Sequence, residues 1–415
     1  MKVEMRVLGM CKNRLSRENI KFFVVLFIFG VLSIIYYFDG AMIEQNTTLY
    51  AFSYKYGFIS RGFLGTIWQW LDANTSLILM SYHSIYQFSE LALAAFFILL
   101  MWFYIVVMKR CSVENQKMMR YLIVFFSVFN FPMFAGKHNF GRVDIFLVMI
   151  TIICCICLVE EKLEWSIPLL CFVAELLHQG FVFMNINIIL VLIMIKALDA
   201  EGKRRKKYMA LLLVTFCVAS VMFLYFEIFS SFQDTSVAGE IIDVAKSLSA
   251  DGKSYSTSLI NHEILKKDVF EEEWKYHLIC YIETPIFAVL FFPYILIFVK
   301  FFKRLLTNVK GDKINTYKYW IVLLGAVTVV PEIVLKTDYG RYLYAIIFYY
   351  VGIVICLIAM GDRIIITTMK TTMLKVKEKI PIAEILVAYP LIYMPFYDVY
   401  ICKAMEKFVY NIFGL

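Results

Sequence analysis

Apolar runs close to the roughly 20 residues that a membrane-crossing helix needs recur along the chain, separated by short polar breaks. They fall at Phe22 to Phe38, Gln87 to Met108, Tyr121 to Phe134, Val143 to Val159, Trp165 to Leu177, Phe181 to Leu198, Tyr208 to Ile228, Pro285 to Val299, Tyr319 to Leu335, Tyr342 to Met360 and Ile382 to Tyr400. The pattern predicts an all-α fold, a polytopic transmembrane helix bundle of about eleven spans, in one integral membrane domain covering residues 1–415. The run from Trp165 to Leu198 is too long for one span and short for two, so a break is expected at His178-Gln179-Gly180. Two connections are long: 39–86 and 229–283, the latter carrying Glu271, Glu272 and Glu273 in series. In the first, Phe58, Phe63, Leu64, Ile67, Trp68 and Leu71 recur at helical spacing and predict a helix lying flat at the membrane interface, with Trp68 and Trp70 suited to the headgroup zone.

Composition supports a lipid environment: 61% of the 415 residues are hydrophobic and 18% charged, more apolar side chain than one soluble core can bury. The net charge of +8 is spread over short basic blocks, Lys109 to Arg120, Lys203 to Lys207, Lys300 to Lys318 and Arg363 to Lys379. By the positive-inside rule these are cytoplasmic, as is the N-terminus, and the expected location is a bacterial cytoplasmic (inner) membrane. The sequence Asp39-Gly40-Ala41-Met42 is a poor cleavage site, so the first helix is expected to be retained. Basic blocks without interleaved aromatics give no reason to expect nucleic acid as a partner. Most cysteines (Cys154, Cys155, Cys157, Cys171, Cys217, Cys356) lie inside apolar runs and read as packing residues. No Asp-x-Asp or His-Glu-x-x-His occurs, so no cofactor is expected, with a divalent metal left open. Asn46-Thr47-Thr48 matches a glycosylation sequon too short to carry weight.

Ionisable groups at membrane depth are costly and therefore candidates for function. Here they gather on the expected outer face: Asp39, Glu44, Arg61, His138, Arg142, Asp144, Glu175, His178, Glu332, Asp338 and Arg341. All five histidines fall on the same face, and the charged candidates thin out toward the cytoplasm. The bland alternative for each is a helix cap, a turn pair such as Asp338 with Arg341, or an arginine snorkelling to headgroups. As a set, arginines beside carboxylates and histidines suit a substrate with a phosphate or diphosphate head and a lipid tail.

Asp39 directly after the first helix, the interfacial segment from Gly57 to Leu71 and the charged turn Lys137-His138-Asn139-Phe140-Gly141-Arg142-Val143-Asp144 give the chain a resemblance to the polytopic GT-C superfamily glycosyltransferases and related bacterial surface-polysaccharide polymerases. The resemblance is architectural and covers the first half best. It implies glycosyl transfer from a polyprenyl-phosphate- or diphosphate-linked sugar donor to a glycan or lipid-linked acceptor at the extracytoplasmic face, in capsule or O-antigen-like cell-envelope assembly. It maps the catalytic carboxylate onto Asp39, or onto Glu44, and places Asp144 and His138 among the catalytic groups. Arg61, Arg142 and Arg341 would bind phosphate, supported by Glu175, His178, Glu332 and Asp338. The chain departs from the family's metal-dependent members in lacking Asp-x-Asp, and from the polymerases in having no arginine between Phe229 and Glu283. The competing expectation is a transporter or flippase for a lipid-linked or anionic solute, whose pathway the same charges would line.

Overall fold

The structure is a computed structural model that describes residues 16–38, 40–136, 139–229, 237–263, 285, 289, 291–335 and 339–379. All regular structure among them is helical. In chain order the helices are α1 (Arg17–Tyr37), α2 (Glu44–Thr48), α3 (Gly62–Asn74), α4 (Tyr82–Arg110), α5 (Gln116–Met133), α6 (Asp144–Glu160), α7 (Ile167–Leu177), α8 (Phe181–Met184), α9 (Ile186–Asp199), α10 (Gly202–Ile228), α11 (Val237–Ser247), α12 (Thr257–Glu263), α13 (Phe292–Asn308), α14 (Lys313–Leu324), α15 (Val330–Leu335), α16 (Tyr339–Ala359) and α17 (Arg363–Lys379). Four of them, α1, α4, α10 and α16, are long and apolar enough to cross a membrane. The expected span at Ile382 to Tyr400 lies outside the described residues.

The bundle is apolar inside and out. α6 is buried on nearly every side, between α4, α7 and α9, and α16 packs on α5, α4 and α9. α1 and α10 leave large apolar side chains exposed, among them Val25, Leu32 and Ile35 on the first and Leu213, Val221 and Leu224 on the second. Lipid is the solvent in which such a surface is stable.

Local chemistry sets the helix ends. Ser16 and Ser81 cap α1 and α4 by accepting from the amides of Asn19 and Ser84. The expected break after Leu177 is present: α7 stops there, and the chain turns at His178–Gly180 before α8. Three expectations need correction. The run from Tyr319 to Leu335 is not one helix. Tyr349 and Tyr350 of α16 donate their hydroxyls to the carbonyls of Val322 (2.8 Å) and Leu323 (2.6 Å), and the chain tightens into a 3-10 turn at Gly325–Val329 before α15. The block Arg363 to Lys379 is not a loop but a helix, started by Asp362, which accepts from the amides of Ile364 and Ile365, and packed on α13. The block Lys203 to Lys207 forms the first turns of α10 rather than a linker.

The first long connection also differs from a surface loop. Asn46, Thr47, Thr48, Tyr50, Ala51 and Phe52 are fully buried, forming a plug in one end of the bundle. Asn46 Nδ2 donates to the Phe140 carbonyl (2.7 Å), and the Thr47 and Thr48 hydroxyls donate to the Glu44 carbonyl. A buried, hydrogen-bonded Asn46 makes the sequon inaccessible in the folded chain. α3 rests on this plug at Gly65, where a Cβ would stand 2.0 Å from the Phe52 carbonyl oxygen. It leaves Ile67 and Trp70 exposed, whereas Trp68 turns inward and donates to the Leu79 carbonyl (2.8 Å).

Candidate functional site

The end of the bundle that holds the plug also holds the N-terminus of α6, the C-terminus of α7 and the N-terminus of α16. Asp144 is the first residue of α6, where the helix dipole favours a carboxylate. Its Oδ1 accepts from Arg341 Nη1 at 2.9 Å and its Oδ2 from Arg142 Nε at 3.3 Å, so one buried carboxylate aligns guanidiniums from segments almost two hundred residues apart. The turn that delivers Arg142 depends on Gly141 at φ 83°, and Met42 of the plug lies 2.8 Å from where a Cβ would stand, so plug and turn fit each other. A cavity of about 10 Å³ beside Arg142, lined also by Tyr50, Ser89, Phe134 and Phe140, has room for about one water molecule.

His178 sits in the break between α7 and α8, 8% exposed, facing the charges of Arg61, Asp144, Arg341 and Arg142. Its Nδ1 accepts the Gly180 amide at 2.8 Å, so that nitrogen carries no proton and a neutral ring holds its proton on Nε2. Burial, with Arg61, Arg341 and Arg142 acting the same way and Asp144 opposing, holds the imidazole well below the usual histidine range. Arg61 reaches the group from the turn before α3. It adopts φ 65°, the left-handed region, which costs a residue with a Cβ about 1–2 kcal/mol. Strain of that kind concentrates where a side chain must be aimed.

The structure thus brings Arg61, Arg142, Asp144, His178 and Arg341 together. Glu175 is fully buried one turn before His178, and neither of its carboxyl oxygens has a hydrogen-bond partner among the described residues. Glu44 is exposed at the start of α2. Glu332 lies in the first turn of α15 and is half-buried. Asp39, His138 and Asp338 lie outside the described residues. Among the described residues no group of three or more His, Cys, Asp or Glu side chains could hold a metal ion.

The opposite end, about 25 Å away along α6, carries a second set of buried charges that the sequence pattern did not single out. Lys196 pairs with Glu161 (2.8 Å), and Glu164 also accepts from Tyr208 (2.9 Å) and from Lys207. Lys318 pairs with Asp199 (2.8 Å) and Asp362 (2.7 Å), and Arg110 with Glu160 (2.9 Å). Charged groups therefore do not thin out toward this end. The signal was masked because Lys196 closes an apolar run and reads as a snorkelling terminus.

Compared with models of known families, with curated proteins and with solved structures, the chain matches none. Among the described residues, fold and site define a helical protein with four candidate membrane-crossing helices and an arginine-rich cluster at one end.

Proposed function

We propose that the chain is a membrane glycosyltransferase or polysaccharide polymerase that uses polyprenyl-linked sugars, and that the cluster around Asp144 binds the phosphate or diphosphate of the lipid-linked substrate. The observation that carries the reading is the convergence of Arg61, Arg142 and Arg341, from three separate segments, around Asp144 and His178. Guanidiniums recognise phosphate oxygens through forked, charge-assisted hydrogen bonds, and a carboxylate that fixes their planes limits the reorganisation needed on binding.

In this reading an acceptor hydroxyl loses its proton to a carboxylate and its oxygen bonds to the anomeric carbon. The bond from that carbon to the phosphate oxygen breaks, and the electron pair stays on the departing phosphate, where the arginines stabilise it. Both oxygens of Asp144 are committed to guanidiniums, which suits orientation better than proton removal. Asp39 remains the proposed base, with Glu44 the alternative. The neutral His178, with its proton on Nε2, is a hydrogen-bond donor to a phosphate or a sugar hydroxyl.

The test is deletion in the native host with complementation by wild type, Arg61→Ala or Asp39→Ala at equal membrane expression, followed by analysis of surface glycan and lipid-linked intermediates. The expected result is restoration by wild type only, with an unextended, outward-facing intermediate in both variants. An intermediate trapped facing inward makes transport the better reading, and normal glycan in every strain rejects both.

A further inference from the structure

A strip of aromatic rings joins the exposed flank of α10 to the segment that carries Arg61. Phe229, 66% exposed, lies 5.7 Å from Tyr225, which in turn lies 5.3 Å from Phe58. Phe58 also packs on Phe226 (5.4 Å) and on Tyr54 (4.9 Å). The Tyr54 ring covers Gly62, where a Cβ would meet Tyr54 Cδ1 at 2.8 Å, so the strip ends beside Arg61. Its outer rings are open, Phe58 at 41% and Tyr225 at 36% exposure, on the flank of a candidate membrane-crossing helix.

We infer that this strip is the binding track for the isoprenoid tail of the lipid-linked substrate, which enters sideways from the bilayer along α10 and delivers its phosphate to Arg61. The inference rests on the phosphate-binding role proposed above. Two features argue for this occupant. The strip runs from the exposed flank of a candidate membrane-crossing helix to the turn that carries Arg61, apolar first and charged last as along a polyprenyl phosphate, and ring faces with open edges offer dispersion contacts to a methyl-branched, unsaturated chain. A row of rings that only anchored the helix at the headgroup level would not need to turn inward to the plug.

The test is binding of two probes to the purified protein in detergent, a long-chain polyprenyl phosphate and the short, water-soluble geranyl phosphate. The double variant Phe58→Ala, Tyr225→Ala is expected to weaken the long-chain probe about tenfold and to leave geranyl phosphate unchanged, whereas Arg61→Ala weakens both. In the unaltered protein, a long-chain probe carrying a photoreactive group on its tail is expected to label residues 221–229, a readout that does not depend on a variant folding. An unchanged long-chain affinity in the double variant, or labelling elsewhere only, overturns the track. If wild type binds neither probe, the phosphate-binding reading itself fails, and the track falls with it.

Discussion

The two ends of α6 solve the problem of buried charge in opposite ways. At the Glu160 end, lysines dominate, and Lys196 and Lys318 sit 5% exposed among carboxylates that neutralise them, Glu161 and Glu164 for the first, Asp199 and Asp362 for the second. An ammonium is a compact point charge that fits between two carboxylates, and the arrangement closes on itself. At the Asp144 end, arginines dominate, and they converge on one carboxylate and one imidazole beside a small cavity. A guanidinium keeps further donors in its plane after making one such bond. Buried ionisable residues in one helical bundle are thus not one category: at the first end lysines are neutralised between carboxylates, and at the second arginines gather on one carboxylate, the arrangement on which the proposed anion-binding role rests.

The largest effect should come from breaking the closed end. Lys318→Ala leaves Asp199 and Asp362 facing each other without their shared cation, and removal of one partner from a buried ion group costs about 3–5 kcal/mol. Thermal unfolding in detergent should show it as a large drop in midpoint, while glycan output per folded molecule stays at the wild-type level. A matching loss of output per molecule would mean that this end is also part of the reaction. At the site end the balance reverses. Arg341→Lys keeps the charge but loses the guanidinium whose Nη1 meets Asp144 Oδ1, and on the proposed function glycan output should fall about 100-fold, the size of effect expected for losing one preorganised donor to a developing negative charge. Its unfolding midpoint should move far less than that of Lys318→Ala.

How much of this contrast could be read from the sequence depends on the kind of signal each part emits. The break at His178–Gly180 was legible, because a glycine and two polar residues interrupt an apolar run at a length no single span fits. Five of the eleven charged candidates, Arg61, Arg142, Asp144, His178 and Arg341, come together in the structure; they stood out in the sequence because charged groups beside apolar helices are expensive. Their convergence was legible only in part: Arg142 lies two residues before Asp144 in one turn, whereas Arg341 is brought there by the packing of α16 on α5 and α6, which no local pattern encodes. The plug escaped for a related reason: Asn46, Thr47 and Thr48 look like loop residues until the Phe140 and Glu44 carbonyls are there to receive them. The split of the Tyr319 to Leu335 run depends on tyrosine hydroxyls from another helix.

A smaller effect separates strain from chemistry at Arg61. Because this residue holds φ 65°, Arg61→Gly removes a Cβ penalty, and the folded state should gain up to about 1 kcal/mol relative to Arg61→Ala. Both variants should nevertheless lose glycan output alike, as neither carries a guanidinium. If Arg61→Gly retained output, the strained backbone rather than the side chain would be the functional element.

The smallest effect lies in the segment that covers the site end. α11 packs on the plug, and Ser256 donates its amide to Thr48 Oγ1 at 3.0 Å. Between α11 and α12, Asp251 gathers the amides of Lys253 (2.9 Å) and Ser254 (2.8 Å) and the hydroxyls of Ser254 and Ser249, and these hydrogen bonds, the Ser254 hydroxyl first, hold its carboxyl well below the usual aspartate range. A depressed folded-state value means the turn is favoured while the carboxylate is ionised. That contribution is complete above the unfolded value, about 4, and is lost as pH falls below it toward the folded value. Amide exchange at Lys253 and Ser254, compared at one intrinsic rate, should therefore lose protection as pH is taken below about 4, and Asp251→Asn should lose it already at neutral pH. Protection that survives acid in the wild type would show that the turn is held by its backbone and by Thr48 rather than by the carboxylate.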